Sequence, residues 1–209
     1  MSAWQSLKTR ALNVVFDLGG VVFEWRPDAI ISSVFDDSEA RELVRSRIFQ
    51  HADWVELDRG TLPLDHAIDR GAERTGLARR DIERLMHEVP RHLLPIESTI
   101  DLIRAVKHAD NKLFVLSNMH VASIAYLESN HDFWGLFDGR VISCRVRKVK
   151  PERDIYEHLL AEYELDAGDT VFIDDLGENL EAASALGIHT IRFVDASQCR
   201  QALSNLGCL

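Results

Sequence analysis

The stretch Ala11-Leu12-Asn13-Val14-Val15-Phe16-Asp17-Leu18-Gly19-Gly20-Val21 decides the fold. Up to Phe16 its only polar side chain is Asn13, which predicts a strand buried on both faces. The apolar run stops at Asp17, and Gly19-Gly20 predicts a sharp backbone turn straight after it. Doubly buried strands belong to parallel sheets covered by helices, so strands should alternate with helices elsewhere. Downstream they do. Residues 96–106 predict a helix, 112–116 a strand ending at Ser117-Asn118, 122–127 a helix and 141–143 a short strand. Pro151 then predicts a helix start, 170–173 a strand ending at Asp174-Asp175, 180–186 a helix and 188–193 a last strand. Such alternation implies βαβ units with right-handed crossovers.

Between the first strand and the rest lies a long stretch without a strand pattern. Pro63 follows Thr61 at a helix start, and Leu64, Ala67, Ile68 and Ala72 recur at helical spacing. Gly76 marks a stop, and Ile82, Leu85, Met86 and Val89 form a second apolar stripe. The expected architecture is α/β. A Rossmann-like core with a parallel sheet, residues 1–24 and 91–209, is interrupted by an inserted helical domain, residues 25–90.

Composition narrows the functional classes. A chain of 209 residues can bury a core with such an insertion. With 24 Lys and Arg against 34 Asp and Glu, the net charge of −10 sets this chain apart from nucleic-acid binders. Cys144, Cys199 and Cys208 are too scattered for a disulfide framework or a zinc site, and read as reduced thiols. No stretch approaches the ~18 apolar residues of a membrane span. Residues 1–10 lack the apolar region of a secretory signal. The expectation is a cytoplasmic monomer or homodimer without membrane or nucleic-acid partners.

Polar residues at strand ends matter because open α/β sheets bind ligands beyond the carboxyl ends of their strands. Four places fit: Asp17, Ser117-Asn118, Lys150-Pro151 and Asp174-Asp175. Any one alone reads as a turn or helix-cap residue. Together they place three carboxylates, an ammonium and a hydroxyl–amide pair on one rim. Uncompensated carboxylates brought together call for a cation.

In order, these stretches resemble the four motifs of the haloacid dehalogenase superfamily, whose members are mostly Mg²⁺-dependent phosphohydrolases. The helical insertion looks like that family's type-1 cap. The segments around Lys150-Pro151-Glu152-Arg153 and Asp174-Asp175-Leu176-Gly177 look like the α-D-glucose-1-phosphate phosphatase branch. The resemblance implies that Asp17 is the nucleophile, forming an aspartyl-phosphate. It implies that Ser117 and the backbone N–H of Asn118 bind the phosphoryl group, and that Lys150 offsets its charge. Asp17, Asp175 and the Gly19 carbonyl are the implied Mg²⁺ ligands, with Asp174 a second or indirect carboxylate. The implied substrate is a small phosphorylated metabolite such as an aldose 1-phosphate.

One position departs from the pattern. Most family phosphatases carry a general acid two residues after the nucleophile, where this chain has Gly19. In the inserted helices, Trp54, Asp58, Arg59 and Gly60 resemble the cap segment that contributes to substrate recognition. Arg45 and Arg47 read as a solvated helix face, with a ligand contact as the alternative. His51 is a candidate base, and Glu24-Trp25 a candidate hinge. Two rival functions stay open. One is a 2-haloacid dehalogenase, in which the same Asp attacks carbon, although the Asp174-Asp175 pair argues for phosphate. The other is a non-catalytic metabolite-binding protein, which Gly19 alone would favour.

Overall fold

A computed structural model describes residues 12–209. Ala11 and the expectations for residues 1–10 lie outside the described residues. The elements run β1 (Asn13–Phe16), α1 (Pro27–Ser32), α2 (Ser38–Val44), α3 (Ala52–Arg59), α4 (Leu64–Thr75), α5 (Arg79–Glu88), α6 (Glu97–His108), β2 (Lys112–Ser117) and α7 (Val121–Asn130). They continue with β3 (Gly139–Ile142), α8 (Ser143–Val146), α9 (Arg153–Glu162), β4 (Thr170–Asp174), α10 (Gly177–Ser184), β5 (His189–Arg192) and α11 (Ala196–Asn205).

The strands form one parallel sheet in the order β3-β2-β1-β4-β5. β1 is therefore central, with Phe16 level with Val115 of β2 and Ile173 of β4. Alternate residues feed two cores. Val14, Phe16, Val115 and Ile173 pack on one face with α6 and α11 residues such as Ile103 and Leu203. Val15, Phe114, Leu116 and Phe172 pack on the other with Tyr156, Leu159 and Ala183 of α9 and α10. β2 and β4 lie on opposite sides of β1, so the chain reverses its winding direction at the centre of the sheet. In open α/β sheets that switch point opens a crevice beyond the carboxyl ends.

Two of the boundaries that differ from expectation bear on the site. The third strand stops at Ile142, and Ser143 instead opens the short helix α8. The Ser143 hydroxyl is drawn out of the ladder, accepting from the Met119 N–H at 2.8 Å and donating to the Asp58 carbonyl at 2.5 Å. Helix α9 begins at Arg153, not Pro151, because Pro151 lies inside a turn closed by the Glu152 N–H on the Val149 carbonyl.

Among the described residues, the segment between β1 and α6 is entirely helical or irregular, including a π-helical turn at Arg45–Phe49. It has its own apolar centre, built from residues such as Ile30, Val44, Leu57, Ile68, Ile82 and Leu85. Its entry and exit are tied together, since the Glu24 N–H donates to the Leu94 carbonyl and the Ile96 N–H to the Val22 carbonyl, each at 2.8 Å.

The end of α3 is pinned to the sheet domain. Arg59 makes a fork of two 2.7 Å hydrogen bonds to Glu152. Gly60 follows at φ +77°, where a Cβ would stand only 2.6 Å from the Cys144 carbonyl oxygen. Both the left-handed backbone and this close approach demand glycine. We therefore expect Gly60→Ala to lower the unfolding free energy in urea by about 1–3 kcal/mol. An unchanged denaturation midpoint would show that α3 does not seat against α8 in this way.

Candidate active site

The carboxyl ends of β1, β2 and β4 meet at one place. Asp17 follows β1, and its N–H is held by the Ile173 carbonyl at 3.0 Å. Its Oδ1 accepts from the Leu18 N–H at 2.7 Å. Gly20, at φ +76°, lets the chain fold back so that its N–H reaches the Phe23 carbonyl. A Cβ there would lie 2.5 Å from Asp175 Oδ2, so the absence of a side chain makes room for that carboxylate.

Lys150 Nζ sits between Asp17 Oδ1 at 2.8 Å and Asp174 Oδ2 at 2.7 Å, with all three side chains buried. Burial alone would lower the Lys150 pKa, but the two carboxylates outweigh it and raise it, so the ammonium stays charged. For Asp17, burial pushes the carboxyl up, and Lys150 only partly offsets the shift. Asp174 is saturated by the protein, accepting from Lys150, from the Leu176 N–H and, at both of its oxygens, from the Asn179 amide nitrogen. Asp175 is half-buried, and its carboxyl is raised by burial and then by the neighbouring Asp174 charge.

Two further groups complete the floor. The Asn118 amide exchanges a reciprocal pair of hydrogen bonds with the Lys150 backbone, at 2.9 and 2.8 Å, which fixes the lysine loop against the end of β2. The Ser117 hydroxyl is buried and has no hydrogen-bond partner among the described residues. Leaving it unpaired costs about 1–3 kcal/mol, so it is an orphan that a ligand oxygen would satisfy.

Carboxylate oxygens of Asp17, Asp174 and Asp175 all lie within 4.8 Å of one another. This is a hard-oxygen donor set of the kind that suits Mg²⁺ or Mn²⁺. Above it opens a cavity of about 490 Å³, to which Asp17, Gly19, Asn118, Lys150 and Asp175 contribute the polar floor. Trp25, Phe49, Trp54, Leu93, Met119 and Leu176 supply apolar walls. Three of these are an aromatic cluster, with ring centroids 4.6 Å apart for Phe49–Trp54, 5.9 Å for Trp25–Trp54 and 5.8 Å for Trp25–Phe49.

Residues 62–193 match the family model described as haloacid dehalogenase-like hydrolase. The chain belongs to that family. As a member of the haloacid dehalogenase-like hydrolases it is 27% identical over 195 residues to the sesquiterpene phosphatase astK of Aspergillus oryzae, covering 93% of this chain and 96% of that one. It is 25% identical to the drimenol cyclase drtB of Aspergillus calidoustus, over 92% of this chain but 36% of that protein. Its fold matches a haloacid dehalogenase family enzyme from Bacteroides thetaiotaomicron, solved as an Asp-to-Ala mutant with magnesium and inorganic phosphate. The TM-score is 0.73 at 19% identity, over 90% of this chain and 98% of that one. It also matches the L-2-haloacid dehalogenase of Xanthobacter autotrophicus, with a TM-score of 0.65 at 15% identity, over 93% and 83% of the two chains.

Within this hydrolase, the structure brings Asp17, Gly19, Ser117, Asn118, Lys150, Asp174 and Asp175 to one rim. Of the residues singled out in the helical segment, Trp25, Trp54 and Asp58 line the cavity. The others do not reach it. Arg45 is engaged by Asp28 and Glu42, Arg47 is exposed, and His51 accepts from the Asp53 N–H as the cap of α3. Arg59 is held by Glu152. Phe49, Met119 and His120 also line the cavity, and nothing in their sequence context announced it. They arrive through a π-helical turn and through the loop after β2, whose paths depend on packing.

His120 is buried and stays uncharged, because burial drops its pKa from 6.5 to about 4. Its folded-state pKa is depressed, so its contribution to stability is complete above the unfolded value and is lost as pH falls from about 6.5 towards 4. The stability advantage of the native protein over His120→Asn should shrink by up to about 1.4 kcal/mol per pH unit across that window. Urea titrations at pH 7 and pH 5 measure this, and an equal advantage at both would disprove the buried neutral imidazole.

Proposed function

We propose that this hydrolase is a divalent-cation-dependent phosphomonoesterase in which Asp17 becomes transiently phosphorylated. The observation that carries the reading is the orphaned, buried Ser117 hydroxyl at the end of β2, the strand that pairs with β1, whose following Asp17 belongs to a carboxylate cluster that already holds one fixed ammonium. Hydroxyl, ammonium and cation together would form a receptor for a tetrahedral dianion, next to the Asp17 carboxylate that would attack it.

In this reading the Asp17 carboxylate attacks phosphorus while the Ser117 hydroxyl and the Asn118 N–H donate to phosphoryl oxygens. Lys150 holds Asp17 in line and offsets the charge that builds up in the transition state. Asp17, Asp175 and the Gly19 carbonyl would hold Mg²⁺, which when bound lowers the repulsion between Asp17 and the incoming dianion. Asp174, saturated by Lys150 and Asn179, orients the lysine and acts on the cation only indirectly. Residues 25–90 serve as a cap whose aromatic face shapes the substrate, and it turns where Glu24 and Leu94 are tied together.

The apolar walls favour a monophosphate with an aliphatic or aromatic body, and a sesquiterpene phosphatase among the relatives supports this. An aldose 1-phosphate is a second reading, favoured by the Glu178 carboxylate among the lining residues and by the aromatic faces on which a sugar ring could stack. A substrate panel separates them. Each buried methylene is worth about 0.8 kcal/mol, so a C10–C15 prenyl monophosphate that buries only three more should exceed glucose 1-phosphate by roughly fifty-fold in kcat/KM. A preference for glucose 1-phosphate would restore the sugar reading.

Asp17→Asn should lose turnover entirely while keeping its fold. The rise in melting temperature that Mg²⁺ gives the native protein should vanish in Asp175→Ala. Turnover that survives Asp17→Asn, or chloride release from 2-chloropropionate, would overturn the phosphatase. A protein that binds phosphate esters without releasing phosphate would be the non-catalytic alternative.

A further inference from the structure

Gly19 leaves the reaction without a proton for the departing oxygen, and the gap needs filling from elsewhere. Among the described residues, the cavity contains four carboxylates besides Asp17: Asp58, Glu152, Asp175 and Glu178. Asp175 belongs to the cation cluster, and Glu152 is forked to Arg59 and held well below the usual carboxylate range by it. Glu178 is in the first turn of α10, on the sheet side of the chain with the cation cluster. Asp58 alone comes from the helical segment, so it faces the sheet domain across the space where the ester must lie.

Its placement is rigid. Its own carbonyl accepts from Ser143, Arg59 beside it is forked to Glu152, and Gly60 after it sits tightly on Cys144. The His120 backbone N–H and the Trp54 indole both favour the charged form of its carboxyl, against the desolvation that disfavours it. The groups that face it are Asp17 and Lys150 from the floor, the neutral His120 and Cys144. We propose, resting on the phosphatase reading, that Asp58 supplies to the leaving group the proton that Gly19 cannot.

The step balances. Asp17 Oδ bonds to phosphorus, and the bond from phosphorus to the ester oxygen breaks with its electron pair on that oxygen. The proton of Asp58 goes to the same oxygen, releasing a neutral alcohol and leaving Asp58 ionised. Water then attacks the aspartyl-phosphate and gives its proton to Asp58, so that phosphate, free Asp17 and protonated Asp58 are restored. Burial raises the Asp58 carboxyl to about 7, and the nearby Asp17 charge adds to the shift against the two hydrogen bonds and Lys150. A carboxyl in that range is part-protonated at neutral pH and can both give and take the proton.

The test uses leaving groups of different quality. In single-turnover experiments on the full-length protein with Mg²⁺, Asp58→Asn should slow alcohol release from octyl phosphate by about 10²-fold or more. Release of nitrophenolate, which leaves without a proton, should slow far less. In the steady state the same variant should show a nitrophenolate burst of about one equivalent, because hydrolysis of the aspartyl-phosphate now lags. Gly19 lies outside the left-handed region, and a Cβ there meets only the Trp25 Cβ, at 4.0 Å. Gly19→Asp added to Asp58→Asn should therefore recover octyl phosphate turnover, which also shows that the parent variant is folded. An equal slowing of both substrates, or none, would overturn the assignment of Asp58 and leave the phosphatase standing. Failure of the native protein on both substrates would instead remove the phosphatase.

Discussion

Everything in the site depends on the Lys150 ammonium wedged between Asp17 and Asp174. A lysine with 1% of its side chain exposed is costly to bury, and it is tolerated only because two carboxylates hold it at 2.7–2.8 Å. In return it lets the sheet gather acidic groups at its centre without mutual repulsion breaking the crevice apart. The Asn118 amide, clipped to the Lys150 backbone, and the Asn179 amide, clipped to Asp174, keep this ion cluster from relaxing. The floor is thus set before any ligand arrives, which is what electrostatic stabilisation of a charged transition state requires.

This rigidity comes from the sheet, and the variable part of the site comes from the helices above it. Asp17, Ser117 and Asp174 stand at the ends of three adjacent strands, so hydrogen-bond register alone sets their spacing. Trp25, Phe49, Trp54 and Asp58 come from a segment with a separate apolar centre. Changes in those residues can alter what the cavity accepts without disturbing the ion cluster beneath. In family terms, chemistry on the sheet and selection in the helices can vary independently.

Much of this was legible in the chain. The doubly buried Val14-Val15-Phe16 run, broken by Asp17 and two glycines, marked the central strand, and its neighbours β2 and β4 end at the polar pairs Ser117-Asn118 and Asp174-Asp175. The residues Asp17, Ser117 and Asp175 converge because they end or directly follow strands, which is a local signal, whereas Lys150 follows the helix α8. What stayed hidden depends on three-dimensional packing. Ser143 reads as a strand end until its hydroxyl is seen reaching across to Asp58 and Met119. Phe49 reads as one more helical apolar residue until the π-helical turn swings it against Trp54. Asp58 sat among the residues of interest, but the burial that raises its pKa is invisible in sequence because it is created by the opposite domain.

The Arg59–Glu152 fork has a consequence for how the protein responds to its medium. It is partly exposed, with 19% of the arginine side chain and 49% of the glutamate accessible, so dissolved ions weaken it. It also joins the two halves of the cavity wall. Added salt should therefore ease the separation of those halves and speed the departure of bulky products. The same salt screens the repulsion between a chain of net charge −10 and an anionic ester, which speeds arrival. Both influences act in one direction, so this hydrolase should tolerate ionic strength better than an enzyme that attracts its substrate by opposite charge.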